Sequence, residues 1–149
     1  MRHSLLLGVW ILLGTCTAST QGKPVVIQGT AVPALPTLDV ALLEEGKSMY
    51  ATYCVACHGA ALEGQPDWKI RQEDGSYPAP PHDSTGHTWH HPDELLLEII
   101  ARGGDPVLGS KMPGFEDTLS EDQIQAVLVF IKSHWGEEEL AFQWWITAR

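Results

Sequence analysis

Cys54-Val55-Ala56-Cys57-His58-Gly59 is the stretch on which the reading of this 149-residue chain turns. C-x-x-C-H is the spacing of c-type haem attachment. Two thiols so placed add to the two haem vinyl groups as thioethers. The His that follows is then held under the iron as the proximal ligand. Three other readings of the same residues compete. A redox-active C-x-x-C belongs at a helix N-terminus, where the thiolate is stabilised, whereas this one follows a helical pattern. A structural Cys54–Cys57 disulfide gives His58 no role. A zinc site from Cys54 and Cys57 with His87 and His91 needs an intervening stretch far beyond finger spacing. One covalent haem c is the reading that uses all three residues.

Working outward, Asp39 to Tyr53 (DVALLEEGKSMYATY) carries Val40, Leu43, Gly46, Tyr50 and Tyr53 at helical spacing, with Asp39 as cap. Gly46 in mid-helix costs about 1 kcal/mol against Ala, so a packing reason is expected there. His91 to Arg102 reads as a second helix. Pro92, Asp93 and Glu94 suit its first turn, and Gly103-Gly104 stops it. Leu119 to Trp135 is the clearest helix. Ser120 and Gln123 make a capping box, Leu119 and Ile124 a hydrophobic staple, and Ile124, Val127, Leu128 and Ile131 one apolar stripe. No strand signal is convincing. Gly59 to Trp89 and Gly104 to Thr118 are long loops, which a small domain tolerates when something else orders them.

From Asp39 to Trp135 the chain resembles class I cytochromes c. Gly46 and Tyr50 precede the Cys54-Cys57-His58-Gly59 motif, Lys111-Met112-Pro113-Gly114-Phe115 follows it, and an amphipathic helix closes the pattern. The resemblance implies an all-α cytochrome c fold, three to five helices wrapped around one covalently bound haem, with long loops. It implies that Gly46 and Tyr50 meet Val127, Leu128 and Ile131 where two helices cross. It also implies Met112, followed by Pro, as the second axial ligand opposite His58. Thioether ligation raises the reduction potential relative to two nitrogen ligands. An iron with both ligands from protein leaves no place for substrate.

Around this pattern, Tyr50, Pro81 and Trp89 are candidate haem-pocket residues. Trp89 offers an indole N–H to a propionate, and the carbonyl of Pro81, in the Pro80-Pro81 pair, is the acceptor chosen for the second His58 nitrogen. His82, His87, His90 and His91 crowd one stretch, PAPPHDSTGHTWHHPDE, which resembles a His- and Trp-rich segment of some bacterial monohaem cytochromes. One of them could replace Met112 as ligand. The group could instead hold a second metal, bond the propionates, or cap the helix that starts at Pro92.

The beginning of the chain reads as an export signal over residues 1–15. Leu5 to Leu13 is uncharged and as a helix spans only about 13 Å, against a ~30 Å hydrocarbon core. Leu13-Gly14-Thr15-Cys16 resembles a lipobox, which makes Cys16 a lipidation candidate and the first mature residue. Cleavage after Ala18 is the rival. Residues 16–38 read as a flexible linker, 39–135 as the cytochrome c domain, and 136–149 as a C-terminal amphipathic tail. That tail either folds back on the domain or docks a partner. The expected location is extracytoplasmic, in the periplasm or on the outer face of the membrane.

Nine Lys+Arg against nineteen Asp+Glu give a formal charge of −10. Nucleic acid is excluded as a partner, since phosphate contacts need a basic face. Redox protein partners with a basic docking face are expected, with salt-sensitive association. The leading function is one-electron carriage between extracytoplasmic partners, non-enzymatic, with iron cycling between Fe(III) and Fe(II) under His/Met ligation. The alternatives are a fixed haem subunit of a larger oxidoreductase, or an open-iron enzyme or sensor if Met112 is not a ligand.

Overall fold

The computed structural model describes residues 25–149. Residues 1–15, expected to be an export signal, Cys16 and the first part of the expected linker lie outside the described residues. Five helices and one two-stranded hairpin make up the regular structure among the described residues: β1 Val26–Ile27, β2 Thr30–Ala31, α1 Val40–Tyr53, α2 Val55–His58, α3 Asp93–Arg102, α4 Glu121–Lys132 and α5 Glu137–Thr147. The fold is all-α in substance. The hairpin corrects the expectation of no strand. Gln28 and Gly29 both take positive φ (49° and 78°), which turns the chain tightly enough for Val26 to pair with Ala31 inside the segment read as linker.

Asp39 caps α1, its Oδ1 accepting from the Ala41 N–H at 2.7 Å. The buried face of α1 is Gly46 and Tyr50, and it packs against α4. A Cβ on Gly46 would stand 1.9 Å from the Ala126 carbonyl oxygen and 3.0 Å from the Phe130 Cβ. Backbone oxygen cannot rotate away. Overpacking of about 3 kcal/mol therefore outweighs the ~1 kcal/mol of helix propensity gained. Gly46→Ala is expected to destabilise the holoprotein by about 2 kcal/mol, read as a lower denaturation midpoint at unchanged slope. A midpoint at or above wild type would show that the two helices do not meet there.

Helix α4 begins as its sequence requires. Ser120 Oγ accepts from the Gln123 N–H at 3.2 Å, and Gln123 Oε1 accepts from the Ser120 N–H at 3.1 Å. The partners of Gly46 differ from expectation by one helical position. Gly46 meets Ala126 and Phe130, and the Tyr50 ring lies 5.2 Å from Phe130. Val127, Leu128 and Ile131, expected in that contact, lie with Tyr50 in one buried cluster, and Val127 and Ile131 also line a cavity. Ala126 is the smallest residue of the helix and alone admits the glycine contact, so the stripe beside it is turned inward.

Helix α5 lies back on the domain. Ala141, Gln143 and Trp145 are buried. Gln143 Nε2 donates to the His91 carbonyl at 3.2 Å and to the Asp93 carboxylate. The first helical N–H of α3, on Asp93, has no cap from Pro92 and donates to Thr147 Oγ1 at 3.1 Å. Asp93 also pairs with the buried ammonium of Lys132 at 2.6 Å, closing a polar junction between α3, α4 and α5.

Candidate functional site

Cys54 ends α1 and starts α2, so the motif forms its own short helix directly after the first. Cys54 is buried and Cys57 exposed, and no disulfide joins them. Burial, then the neighbouring Cys57, pushes the Cys54 thiol up to about 11. An activated thiol needs the opposite shift, so the surroundings of Cys54 do not favour a reactive thiolate there. Both cysteines, His58 and Met112 line one cavity of about 1110 Å³. Among the described residues no group of three or more His, Cys, Asp or Glu side chains could hold a metal ion, so the zinc set Cys54, Cys57, His87 and His91 is not assembled.

His58 is 6% exposed. Its Nδ1 lies 2.9 Å from the Pro80 carbonyl oxygen. A carbonyl only accepts, so Nδ1 carries the proton and Nε2 keeps a lone pair. Burial lowers the His58 pKa, the Pro80 bond acting against it. A neutral ring with a free Nε2 is the form that ligates a metal. The acceptor is Pro80 and not Pro81, a correction with a local cause. A Cβ on Gly64 would fall 2.4 Å from the Pro81 nitrogen and 2.6 Å from the Pro80 carbonyl carbon. This close approach seats the Pro-Pro pair one residue earlier under the imidazole. The Gly64 N–H donates to the His58 carbonyl at 2.8 Å, tying the same loop back to the motif.

Met112 sits on the loop after α3. An isolated bridge pairs Gly103 with Pro113. The Gly104 N–H donates to the Met112 carbonyl at 3.1 Å, and the Phe115 N–H to Ala101 at 2.8 Å. The Met112 N–H is held by Ser110 Oγ at 3.2 Å. The backbone on both sides of the thioether is thus pinned to the end of α3. This loop meets the 59–87 loop where the Tyr77 N–H donates to Gly109 O at 2.9 Å and Lys111 pairs with Asp74.

Trp89, expected to offer its indole N–H to a propionate, makes a bond within the chain instead. Its indole N–H donates to the Ser84 carbonyl at 3.3 Å, and its ring packs on His90 and Phe142. It is absent from the cavity wall. Trp68 lines the cavity instead, stacked 5.3 Å from His87. Nothing in the aperiodic 59–87 loop distinguishes Trp68 in sequence. Tyr50 is buried behind the wall, its hydroxyl 3.3 Å from His82 Nδ1. His82, offered as a rival to Met112, lies flat against the His58 ring at 3.7 Å. It is a neighbour of the proximal position and cannot ligate from across it.

Two thiols, a neutral imidazole and a thioether on one predominantly apolar cavity are the donor set that a covalent haem requires. A family model described as "Cytochrome C oxidase, cbb3-type, subunit III" matches residues 41–131, well over half of the chain. The match spans α1 to near the end of α4 and includes the motif and Met112. The comparison with curated proteins gives no match.

Proposed function

Because this chain belongs to the family described as cytochrome C oxidase, cbb3-type, subunit III, and so is a class I monohaem c-type cytochrome, we propose that it is a one-electron carrier with His58 and Met112 as axial ligands. The observation that carries the reading is the placing of Cys54, Cys57, His58 and Met112 on one cavity. Cys54 and Cys57 would hold the haem through thioethers. Bound there, the haem supplies one-electron Fe(III)/Fe(II) chemistry. His58 presents Nε2, with Pro80 fixing its tautomer. Met112 offers its sulfur from a loop held at several backbone points, which suits a carrier because its ligand geometry need not reorganise. Val127, Ile131, Leu96 and Phe115 give the cavity apolar walls.

The partner reading rests on charge. At the cavity mouth Arg102 is paired with Glu98 at 3.3 Å and Glu116 at 4.0 Å, and Lys111 with Asp74. Those two cations are answered within the chain, and the net charge of −10 is left to attract a partner with a basic docking face. An extracytoplasmic location, with lipidated Cys16 as an anchor, belongs to the same proposal, since c-haem attachment occurs beyond the cytoplasmic membrane. Redox titration of the holoprotein is expected to follow a one-electron Nernst curve. The reduced protein is expected not to bind carbon monoxide. Carbon monoxide binding would replace the carrier with an open-iron enzyme or sensor.

The description of the family as an oxidase subunit favours a second reading, a fixed haem subunit. Size-exclusion of the detergent-solubilised native protein separates the two: elution in a larger complex supports the subunit, and elution alone the carrier.

A further inference from the structure

One in-plane hydrogen bond fixes where an imidazole points but leaves it free to tilt about the line of that bond. His58 has such a bond, from Nδ1–H to Pro80. A planar contact against its face adds a further constraint on the ring plane. His82 supplies it, with ring centroids 3.7 Å apart and planes within 19°.

His82 is itself held from three directions. Its backbone N–H donates to the Leu62 carbonyl at 2.8 Å. Its carbonyl accepts the Trp135 indole N–H at 2.8 Å. Its Nδ1 meets the Tyr50 hydroxyl at 3.3 Å. Helix α1, the loop after the motif and the residues following α4 thus converge on one ring, which is 8% exposed. An apolar residue would fill this place without a polar group to satisfy. The structure instead keeps an imidazole and gives it a hydrogen-bond partner.

We infer that His82 is a positioning residue: stacked on His58, it sets the angle of the proximal imidazole plane about its bond to iron. The inference rests on the reading of His58 as an axial ligand. The plane of an axial imidazole governs how unpaired spin distributes over a low-spin ferric haem, so the role has a signature of its own. The spread and order of the paramagnetically shifted haem-methyl proton resonances report that angle, and a residue that merely fills space does not move them.

The test uses ferric holoprotein of the wild type, His82→Phe and His82→Leu. Phe keeps a flat ring against His58, while Leu removes it. The Phe variant is expected to retain the wild-type order of haem-methyl shifts, and Leu to change both order and spread. The potential is expected to rise in both, because an apolar group replaces a polar ring beside the ligand. An unchanged shift pattern in His82→Leu, with only a lowered melting temperature, overturns the inference. So does a Phe variant altered as much as Leu; should Leu yield no folded holoprotein, the Phe pattern alone decides. A wild-type spectrum lacking a nitrogen axial ligand overturns the His58 reading, and this inference with it, and is recognised before any variant is made.

Discussion

Haem in the Cys54→Ser/Cys57→Ser variant is expected to extract completely into acidified organic solvent, whereas in the wild type it stays with the protein. The reason lies in the short α2 helix. Cys54 is the joint between two helices and is buried, while Cys57 is exposed one turn on. The two sulfurs therefore offer one inner and one outer attachment. Serine preserves size and turn geometry but cannot form a stable thioether. The effect is all-or-none on covalent retention, and it is read by haem staining of a denaturing gel. Each single variant is expected to keep one thioether, with the α-band of its reduced pyridine complex shifted from the wild type. Covalent haem persisting in the double variant would remove the motif from the function.

Met112→Ala carries the second large effect. The wild-type ferric protein is expected to show the weak near-infrared charge-transfer band of methionine sulfur on iron, and the variant to lose it. The backbone bonds from Gly104, Phe115 and Ser110 do not involve the thioether, so the loop should keep its path while the sulfur is gone. The reduced variant is then expected to bind carbon monoxide. Its potential is expected to fall by roughly 0.1–0.3 V, a part of the ~0.8 V over which axial ligation sets haem potentials. His82 cannot step in, because it is stacked on His58 and bonded to Tyr50. A wild-type protein without the band, or a variant that keeps it, assigns the sixth position to another residue.

The elements readable from sequence were those whose causes are local. The capping box at Ser120 and Gln123, the Asp39 cap and the C-x-x-C-H spacing are each complete within six residues, and each appears in the structure. What escaped depended on close approach between distant segments. Pro80 and Pro81 are chemically equal as acceptors, and Gly64 decides between them by admitting the chain 2.4 Å from where its Cβ would be. Trp89 and Trp68 are both indoles in long loops. Only the packing of Trp89 on Phe142 from α5 draws it out of the cavity wall. The stripe on α4 was legible, but its angle was not, because Ala126 rather than the larger apolar residues takes the contact with Gly46. His82 was visible as one of a histidine cluster, yet its place on His58 follows from Tyr50, Leu62 and Trp135 together.

The cap that Thr147 lends to α3 ties the far end of the chain to the haem chamber. Helix α3 contributes Leu95, Leu96 and Ile99 to the cavity wall, and its exposed first amide is quenched by a hydroxyl 54 positions later. The matched family region stops at residue 131. An expression boundary drawn there would remove Lys132, Gln143 and Thr147 together and leave Asp93 without any of its three partners. The last helix thus serves as a brace behind that wall, joined to it at His91, and an affinity tag placed on the carboxyl end would bear on the redox chamber through that brace.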